Sequence, residues 1–350
     1  RLTANRLRSF LRTEMEEHMS TVRWGILSTA RHFEKIMLPA YRQARDTELA
    51  AVASRDGERA QAFARQHHIP TAHASYEALL DDPTIDAVYI PLPNNLHKEW
   101  AIKAAQAGKH VLCEKPIALD AAEAEEMVVA FDQAGRVLAE TFQWRHHPQA
   151  YAVRELIEDG TIGEVRLIDA GFSFLIARED DIRLDPALGG GSLYDVGCYP
   201  VSLARFMLQA EPLAVTAQAH WTDRGVDDRM VATLEFPNGA LAQINCGFSL
   251  PLRRYYEVVG PVGSLYVNRA YNPVGDRASE IVHYGDDRMM IETVRLDPAN
   301  SYTLMIEDFN RAVTGEAAPR FPAEDAVKNM RVIDALYRSA RQGGTVEVAR

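Results

Sequence analysis

The chain has 350 residues, of which 47% are hydrophobic and 25% charged, and 38 Lys and Arg stand against 49 Asp and Glu for a net charge of −11. Such a composition is that of a globular protein, and the length points to two domains with a core large enough to need neither disulfide nor metal. The acidic balance argues against nucleic-acid binding, which depends on Lys and Arg contacts to phosphate, yet leaves room for a local basic pocket. Cys113, Cys198 and Cys246 are far apart and form no Cys-x-x-Cys pair. They read as buried thiols in a reducing compartment, so a cytoplasmic location is expected. No apolar run approaches the ~18–20 residues of a membrane span, so no membrane partner is expected.

Residues 1–20 stand apart. Arg1 to Arg12 is basic and Glu14, Glu16 and Glu17 follow, with no long apolar stretch and no small-residue cleavage site. This segment reads as an N-terminal extension rather than a secretory signal.

The next stretch alternates strand and helix. Strands are predicted at 22–27, 48–53, 85–90, 110–113 and 137–139, and helices at about 33–44, 58–67, 96–107 and 121–134, the last two stopped by Gly108 and Gly135. This alternation implies a parallel, doubly wound sheet. After residue 150 the pattern changes. A helix at 151–158 precedes a period-two run in which Ile168, Ala170, Phe172, Phe174 and Ile176 share a face. Strands follow at 231–236, 241–248, 255–259 and 264–267, the first two joined by Pro237-Asn238-Gly239, a hairpin turn. Consecutive hairpins suggest an antiparallel sheet, and helices near 303–313 and 323–341 close the chain. The fold class is therefore α/β: a Rossmann-type parallel sheet, then a domain with a mostly antiparallel sheet.

The first strand leads into Gly25-Ile26-Leu27-Ser28-Thr29-Ala30. A dinucleotide loop wants three glycines; here Gly25 stands for the first, and Leu27 and Ala30 replace the others. A helix N-terminus just after it is a natural phosphate site. The second strand ends in Ser54-Arg55 rather than the acidic residue that holds the ribose of NAD. A hydroxyl beside a guanidinium suits a 2′-phosphate, so NADP is favoured, with NAD still open because Asp56 follows.

Glu114-Lys115-Pro116 follows a buried strand, and ligands of open α/β sheets bind at such strand ends. Asp195 and Tyr199, in Gly189-Gly190-Gly191-Ser192-Leu193-Tyr194-Asp195-Val196-Gly197-Cys198-Tyr199-Pro200, are four apart and share a helix face. Pro200 means either a kink or a regular helix starting near Tyr199. Trp144, Arg145, His146 and His147, after another strand, could line a polyol pocket. The two histidines are adjacent and make a poor metal pair; no zinc-like spacing occurs and no metal is expected.

These motifs, together with Pro91-Leu92-Pro93-Asn94-Asn95-Leu96-His97, Ala107-Gly108-Lys109-His110-Val111, Arg145-His146-His147-Pro148-Gln149 and Asp325 to Ala335, resemble the glucose–fructose oxidoreductase / inositol dehydrogenase (Gfo/Idh/MocA) family. The resemblance covers nearly everything from residue 21 on, and Glu-Lys-Pro with the downstream Asp-x-x-x-Tyr is its most specific part. Within that family it is similar to the dihydrodiol and xylose dehydrogenases and the sugar ketoreductases, which carry Tyr at the position of Tyr199.

The resemblance implies a Rossmann domain at 21–143, a substrate and dimerisation domain at 144–321, and a segment at 322–350 that packs back on the first. It implies a cofactor site drawn from Gly25, Leu27, Ser28, Thr29, Ala30, Ser54, Arg55, Pro91, Leu92, Asn94, His97, Glu114 and Lys115. Substrate contacts would come from Trp144, Arg145, His147, Asp195 and Tyr199. Lys115 and Tyr199 would relay the proton, the ammonium lowering a phenol pKa that is ordinarily near ~10. Asp195 would bind a substrate hydroxyl or orient Lys115.

The expected activity is an NADP-dependent transfer of hydride between nicotinamide and a carbinol or carbonyl carbon of a sugar or cyclic polyol, by a homodimer or homotetramer. The alternatives are an NAD-dependent glycosidase of the same family, against which Ser54-Arg55 counts, and a non-catalytic dinucleotide sensor. Against the sensor count Lys115, Asp195 and Tyr199, since a sensor has no need of a proton relay.

Overall fold

The structure is a computed structural model that describes residues 21–271 and 278–350. The extension read at residues 1–20 lies outside the described residues. The first sheet is built from β1 (Val22–Leu27), β2 (Thr47–Ala53), β3 (Thr71–His73), β4 (Ala87–Ile90), β5 (His110–Cys113) and β6 (Leu138–Glu140). The strands run parallel in the order β3-β2-β1-β4-β5-β6, the order of a dinucleotide-binding sheet whose topology reverses between β1 and β4. Helices cover both faces, so the central strands are buried along their length and read as continuous apolar runs; all four residues of β4 are buried.

The helices of this half are α1 (Leu38–Gln43), α2 (Gly57–Gln66), α3 (Tyr76–Leu80), α4 (His97–Gln106) and α5 (Ala121–Ala134). α2 and α5 start on Asp56 and Asp120, each carboxylate accepting a backbone N–H of the first turn. α5 stops at Gly135, in the left-handed conformation. The helix predicted over 33–44 has two parts: Phe33–Met37 is a wide π-helical turn, and α1 follows with Pro39 in its first turn. A proline leaves the carbonyl four residues back without its α-helical partner, and a wider turn ahead of it accommodates the ring. β3 and α3 were not predicted; at three and five residues they are too short to show a period.

The second half contains α6 (Pro148–Glu158), β7 (Leu167–Leu175), α7 (Cys198–Leu208), β8 (Ala214–Trp221), β9 (Asp227–Glu235), β10 (Leu241–Gly247), β11 (Ser249–Gly260), β12 (Gly263–Asn268), β13 (Ser279–Gly285) and β14 (Met290–Leu296). α8 (Ser301–Val313), α9 (Ala323–Gln342) and β15 (Thr345–Glu347) end the chain. Among the described residues the second sheet has the order β14-β13-β12-β11-β7-β10-β9-β8-β15. Its pairs are antiparallel except β7 with β10. The predicted hairpin turn is present, with Gly239 at φ 79° and its N–H on the Phe236 carbonyl. β8, β13, β14 and β15 were not predicted.

The halves interlock. α8 packs into the first half: Trp24 lies against Tyr41 and Phe309, and its indole N–H donates to the Asn310 Oδ1 at 3.1 Å. α9 runs between α5 and the second sheet, and β15 then joins that sheet by pairing with β8. No helix among the described residues is long and apolar enough to cross a membrane.

Candidate active site

The carboxyl ends of β1, β4 and β5 open into a cleft of about 650 Å³. The first half contributes Ala30 to His32, Pro91 to Asn94, Glu114 and Lys115. The second contributes Phe172 and Phe174 from β7, the segment 182–191, and Asp195, Val196 and Tyr199.

The turn after β1 differs from its reading. Gly25 is not the turn glycine: it lies inside β1, and a Cβ there would press on the side chains of Leu79 and Ile85. The position that needs glycine-like freedom is Ser28, with φ 150°. Leu27 is buried in the core, Thr29 is nearly so, and Ala30 reaches the cleft where the helix begins. Arg31, His32 and Lys35 are exposed around that N-terminus, which favours anionic groups.

At the end of β2, Ser54 is buried and its hydroxyl accepts the Asp56 N–H. The Asp56 carboxylate accepts the Arg59 N–H, so it caps α2 rather than facing a ribose. Arg55 is exposed and acts, with Ser28 and Arg59, on the hydroxyl of Tyr76, whose pKa burial raises.

Lys115 is fixed by the turn in which it sits. Its N–H donates to Thr141 Oγ1 and Glu114 Oε2, and the Lys115–Pro116 bond is cis. Its Nζ donates to Asp195 Oδ1 at 2.8 Å and to the Asp195 carbonyl at 2.6 Å. Burial opposes the charge, but Asp195 and Glu114 outweigh it and hold the ammonium above its usual range. Glu114 accepts from the Tyr89 hydroxyl at 2.6 Å and lies 3.4 Å from His32. Burial would raise its pKa, yet His32 and Lys115 bring it to about 2.

Asp195 lies within a second wide turn and Tyr199 just after it. Leu193–Gly197 is π-helical, and the regular helix α7 starts at Cys198 with Pro200 in its first turn, resolving the two readings of that proline. Both side chains reach the cleft, and the Lys115 Nζ lies 5.2 Å from the Tyr199 ring centre. The expected lowering of the Tyr199 pKa is overturned. Burial, followed by the Glu114 and Asp195 carboxylates, pushes it well above its usual value. The Lys115 ammonium beside the ring is engaged by Asp195.

Four predicted contacts lie elsewhere. His97 is fully buried, its two ring nitrogens each 2.9 Å from a carbonyl, those of Pro116 and Leu92; it braces the two loops from beneath. Trp144 is buried edge-on to Phe206 and Tyr271. Arg145 binds Asp325 and the Ser202 hydroxyl, sandwiched between Phe142 and Phe321. His147 caps α6, its Nδ1 accepting the Gln149 N–H, and burial lowers its pKa to about 4. None of the four lines the cleft; His97 and Arg145 are satisfied by neighbours in the fold, while Trp144 Nε1 and His147 Nε2 are buried without a hydrogen-bond partner among the described residues. Conversely, the reading gave no site role to Arg183, Phe172 or Phe174. The alternation along β7 did place the two Phe on one face. Nothing local distinguishes Arg183. Among the described residues no three His, Cys, Asp or Glu side chains gather as metal ligands would.

A parallel sheet in dinucleotide-binding order, with a lysine and a tyrosine at its open end, defines a nicotinamide-type oxidoreductase. Residues 22–142 match the oxidoreductase family with an NAD-binding Rossmann fold, and residues 151–266 match the GFO/IDH/MocA C-terminal domain. The chain belongs to the Gfo/Idh/MocA family of oxidoreductases. It is 44% identical to a D-xylose 1-dehydrogenase (NADP(+)) of Haloferax volcanii over 93% of this chain and 99% of that one. It is similar to the crystal structure of a 3-ketoreductase of Actinomadura kijaniata in complex with NADP and TDP-benzene, at 33% identity and a TM-score of 0.87, over 91% of this chain and 98% of that one. An aldose-aldose oxidoreductase of Caulobacter crescentus complexed with glycerol matches at 30% identity and a TM-score of 0.85, over 93% and 99%.

Proposed function

We propose that the protein is an NADP-dependent dehydrogenase or reductase acting on a sugar or cyclic polyol. The observation that carries this reading is the Lys115–Asp195 ion pair set over the Tyr199 ring at the open end of the sheet. A dinucleotide fits the residues present. The Ser28 turn leaves a helix N-terminus open for phosphate, and exposed Arg55 suits a 2′-phosphate while Asp56 is engaged in capping. Ser54, Arg55, Asn94 and Glu114 would hold the cofactor.

When bound, the nicotinamide accepts or supplies the hydride. Tyr199 donates its phenolic proton to the carbonyl oxygen in reduction and recovers it in oxidation. The Lys115 Nζ hydrogen-bonds that oxygen and stabilises the negative charge developing on it. Asp195 holds Lys115 charged. Phe172 and Phe174 give the substrate half an aromatic wall suited to the C–H faces of a sugar ring. The named activities of the relatives, on xylose, a keto-sugar and aldoses, support the same substrate class.

A panel of aldoses, cyclic diols and keto-sugars, followed by nicotinamide absorbance with both cofactors, tests the reading. Turnover of at least one sugar with NADP is expected; none with either cofactor rejects it. We also propose a homodimer or homotetramer through the outer face of the second sheet, where Val231 and Leu241 are exposed. A single monomeric species in sedimentation at micromolar concentration would contradict that.

A further inference from the structure

Asp195 is held from two sides. Lys115 takes Oδ1, and the Arg183 Nε donates to Oδ2 at 2.7 Å. Arg183 stands on the segment between β7 and the glycine cluster. Its backbone N–H and its Nη1 both reach Asp181 Oδ1, and its guanidinium lies 5.8 Å from the Phe174 ring centre. The glycine cluster serves this placement. Gly191 N donates to the Arg183 carbonyl and Gly190 N to the Asp185 carbonyl, each at 2.9 Å. A Cβ on Gly190 would press on both carbonyl oxygens. Asn94 Nδ2 donates to the Gly189 carbonyl at 2.9 Å, tying the doubled-back loop to the first half. Three consecutive glycines thus let the chain fold on itself so that Arg183 reaches the carboxylate.

We propose that Arg183 is a positioning residue that fixes the Asp195 carboxylate and, through it, the Lys115 ammonium for proton transfer. The inference rests on the proposed oxidoreductase reading and deepens it. Asp195 is otherwise faced by Lys115 from the first half, Cys198 and Tyr199 from α7, Cys246 from β10, and Asp181 through Arg183. Burial alone would raise the Asp195 pKa; Arg183 and then Lys115 bring it far below the usual carboxylate range. Without Arg183, Asp195 would protonate at a higher pH and release Lys115 there.

The test compares Arg183→Ala, Arg183→Lys and Asp195→Asn in the full chain. Arg183→Ala should lower kcat about 10–100-fold, the range for a hydrogen bond to a charged group. It should also move the acid limb of the kcat profile to higher pH. Arg183→Lys, which keeps the charge, should bring the limb back. Unchanged kcat, or an equal loss at every pH with Lys no better than Ala, would overturn the proposal in favour of a loop-shaping role. A double-mutant cycle of Arg183→Ala and Asp195→Asn in thermal unfolding needs no turnover. The two effects on Tm should fail to add by about 1–2 °C, and additivity overturns the proposal. If the wild type turns over no sugar, the oxidoreductase reading fails and the cycle alone decides the role of Arg183.

Discussion

The segment from Ser28 to Gln43 and the segment from Gly189 to Leu208 both enter helices at the cleft, one from each half. Each has a wide π-helical turn, then an α-helix with a proline in its first turn. Each π turn supplies cleft residues, Lys35 and Ile36 in one, Asp195 and Val196 in the other. The difference lies in their glycines. In the first, the strained turn position is a serine, and the one nearby glycine serves strand packing. In the second, three glycines let the backbone double back against Arg183, Asp185 and Asp227. Gly25 in its strand and Gly190 and Gly191 in their loop are each required by close packing. Cofactor recognition on the first side rests on a helix end and Arg55, while chemistry on the second rests on charged side chains.

If that division is right, the largest effect belongs to the residue that joins the sides. Lys115→Ala should reduce turnover about 10³-fold, in the range for loss of a positioned acid or base. The fold, read by circular dichroism, and NADP affinity should persist. Turnover within threefold of wild type would remove Lys115 from the proton transfer.

A pH profile sharpens the second side. Tyr199 and Lys115 both have raised pKa values, so both are protonated at neutral pH. Oxidation must deprotonate the relay, so its rate should climb about tenfold per pH unit through the alkaline range. Reduction, which uses the protonated form, should stay flat there. A plateau in oxidation below neutrality would mean that another group takes the proton.

Arg55→Ala addresses the first side. NADP affinity should fall about 10–100-fold, while NAD affinity changes little, because only the former carries the 2′-phosphate. Equal losses for both cofactors, read by fluorescence titration, would reject the phosphate role.

The central strands of the first sheet were legible because burial on both faces writes them as apolar runs, and the helices at 57–66, 97–106 and 121–134 because Asp56, Gly108 and Asp120 with Gly135 mark their ends. β8 and β14 were not: β8 buries only Val215 and Ala217 among small and polar residues, and β14 exposes Met290 and Ile291 beside Glu292 and Arg295, so neither shows a clean alternation. In the site, Lys115, Asp195, Tyr199, Asn94 and Glu114 all reach the cleft, because strand ends and loop motifs mark position along the sheet. Arg145, His147 and Trp144 carry equally suggestive chemistry at a strand end. Whether such groups face a ligand or each other depends on what packs above them. Asp325, Ser202 and Phe321 cover Arg145, and Phe206 and Tyr271 cover Trp144, all from segments distant in sequence, while His147 turns back to cap its own helix.

The smallest effects separate the two glycine uses most cleanly, and they form a pair. Gly25→Ala puts a methyl against Leu79 and Ile85 inside β1 and should destabilise the fold by about 1–3 kcal/mol, the usual cost of overpacking. Cofactor affinity should hardly change, because the residue touches no part of the cleft. Ser28→Gly acts in the opposite sense. It relieves a serine at φ 150°, worth about 1–3 kcal/mol. It also adds about 0.5–1 kcal/mol of unfolded-chain entropy and loses the contact with Tyr76. The net expectation is a gain of about 1 kcal/mol or less in thermal unfolding, with NADP bound at least as tightly. A marked loss of stability in Ser28→Gly, or a loss of NADP affinity in Gly25→Ala, would return the turn to Gly25 and undo the contrast between the two helix entries.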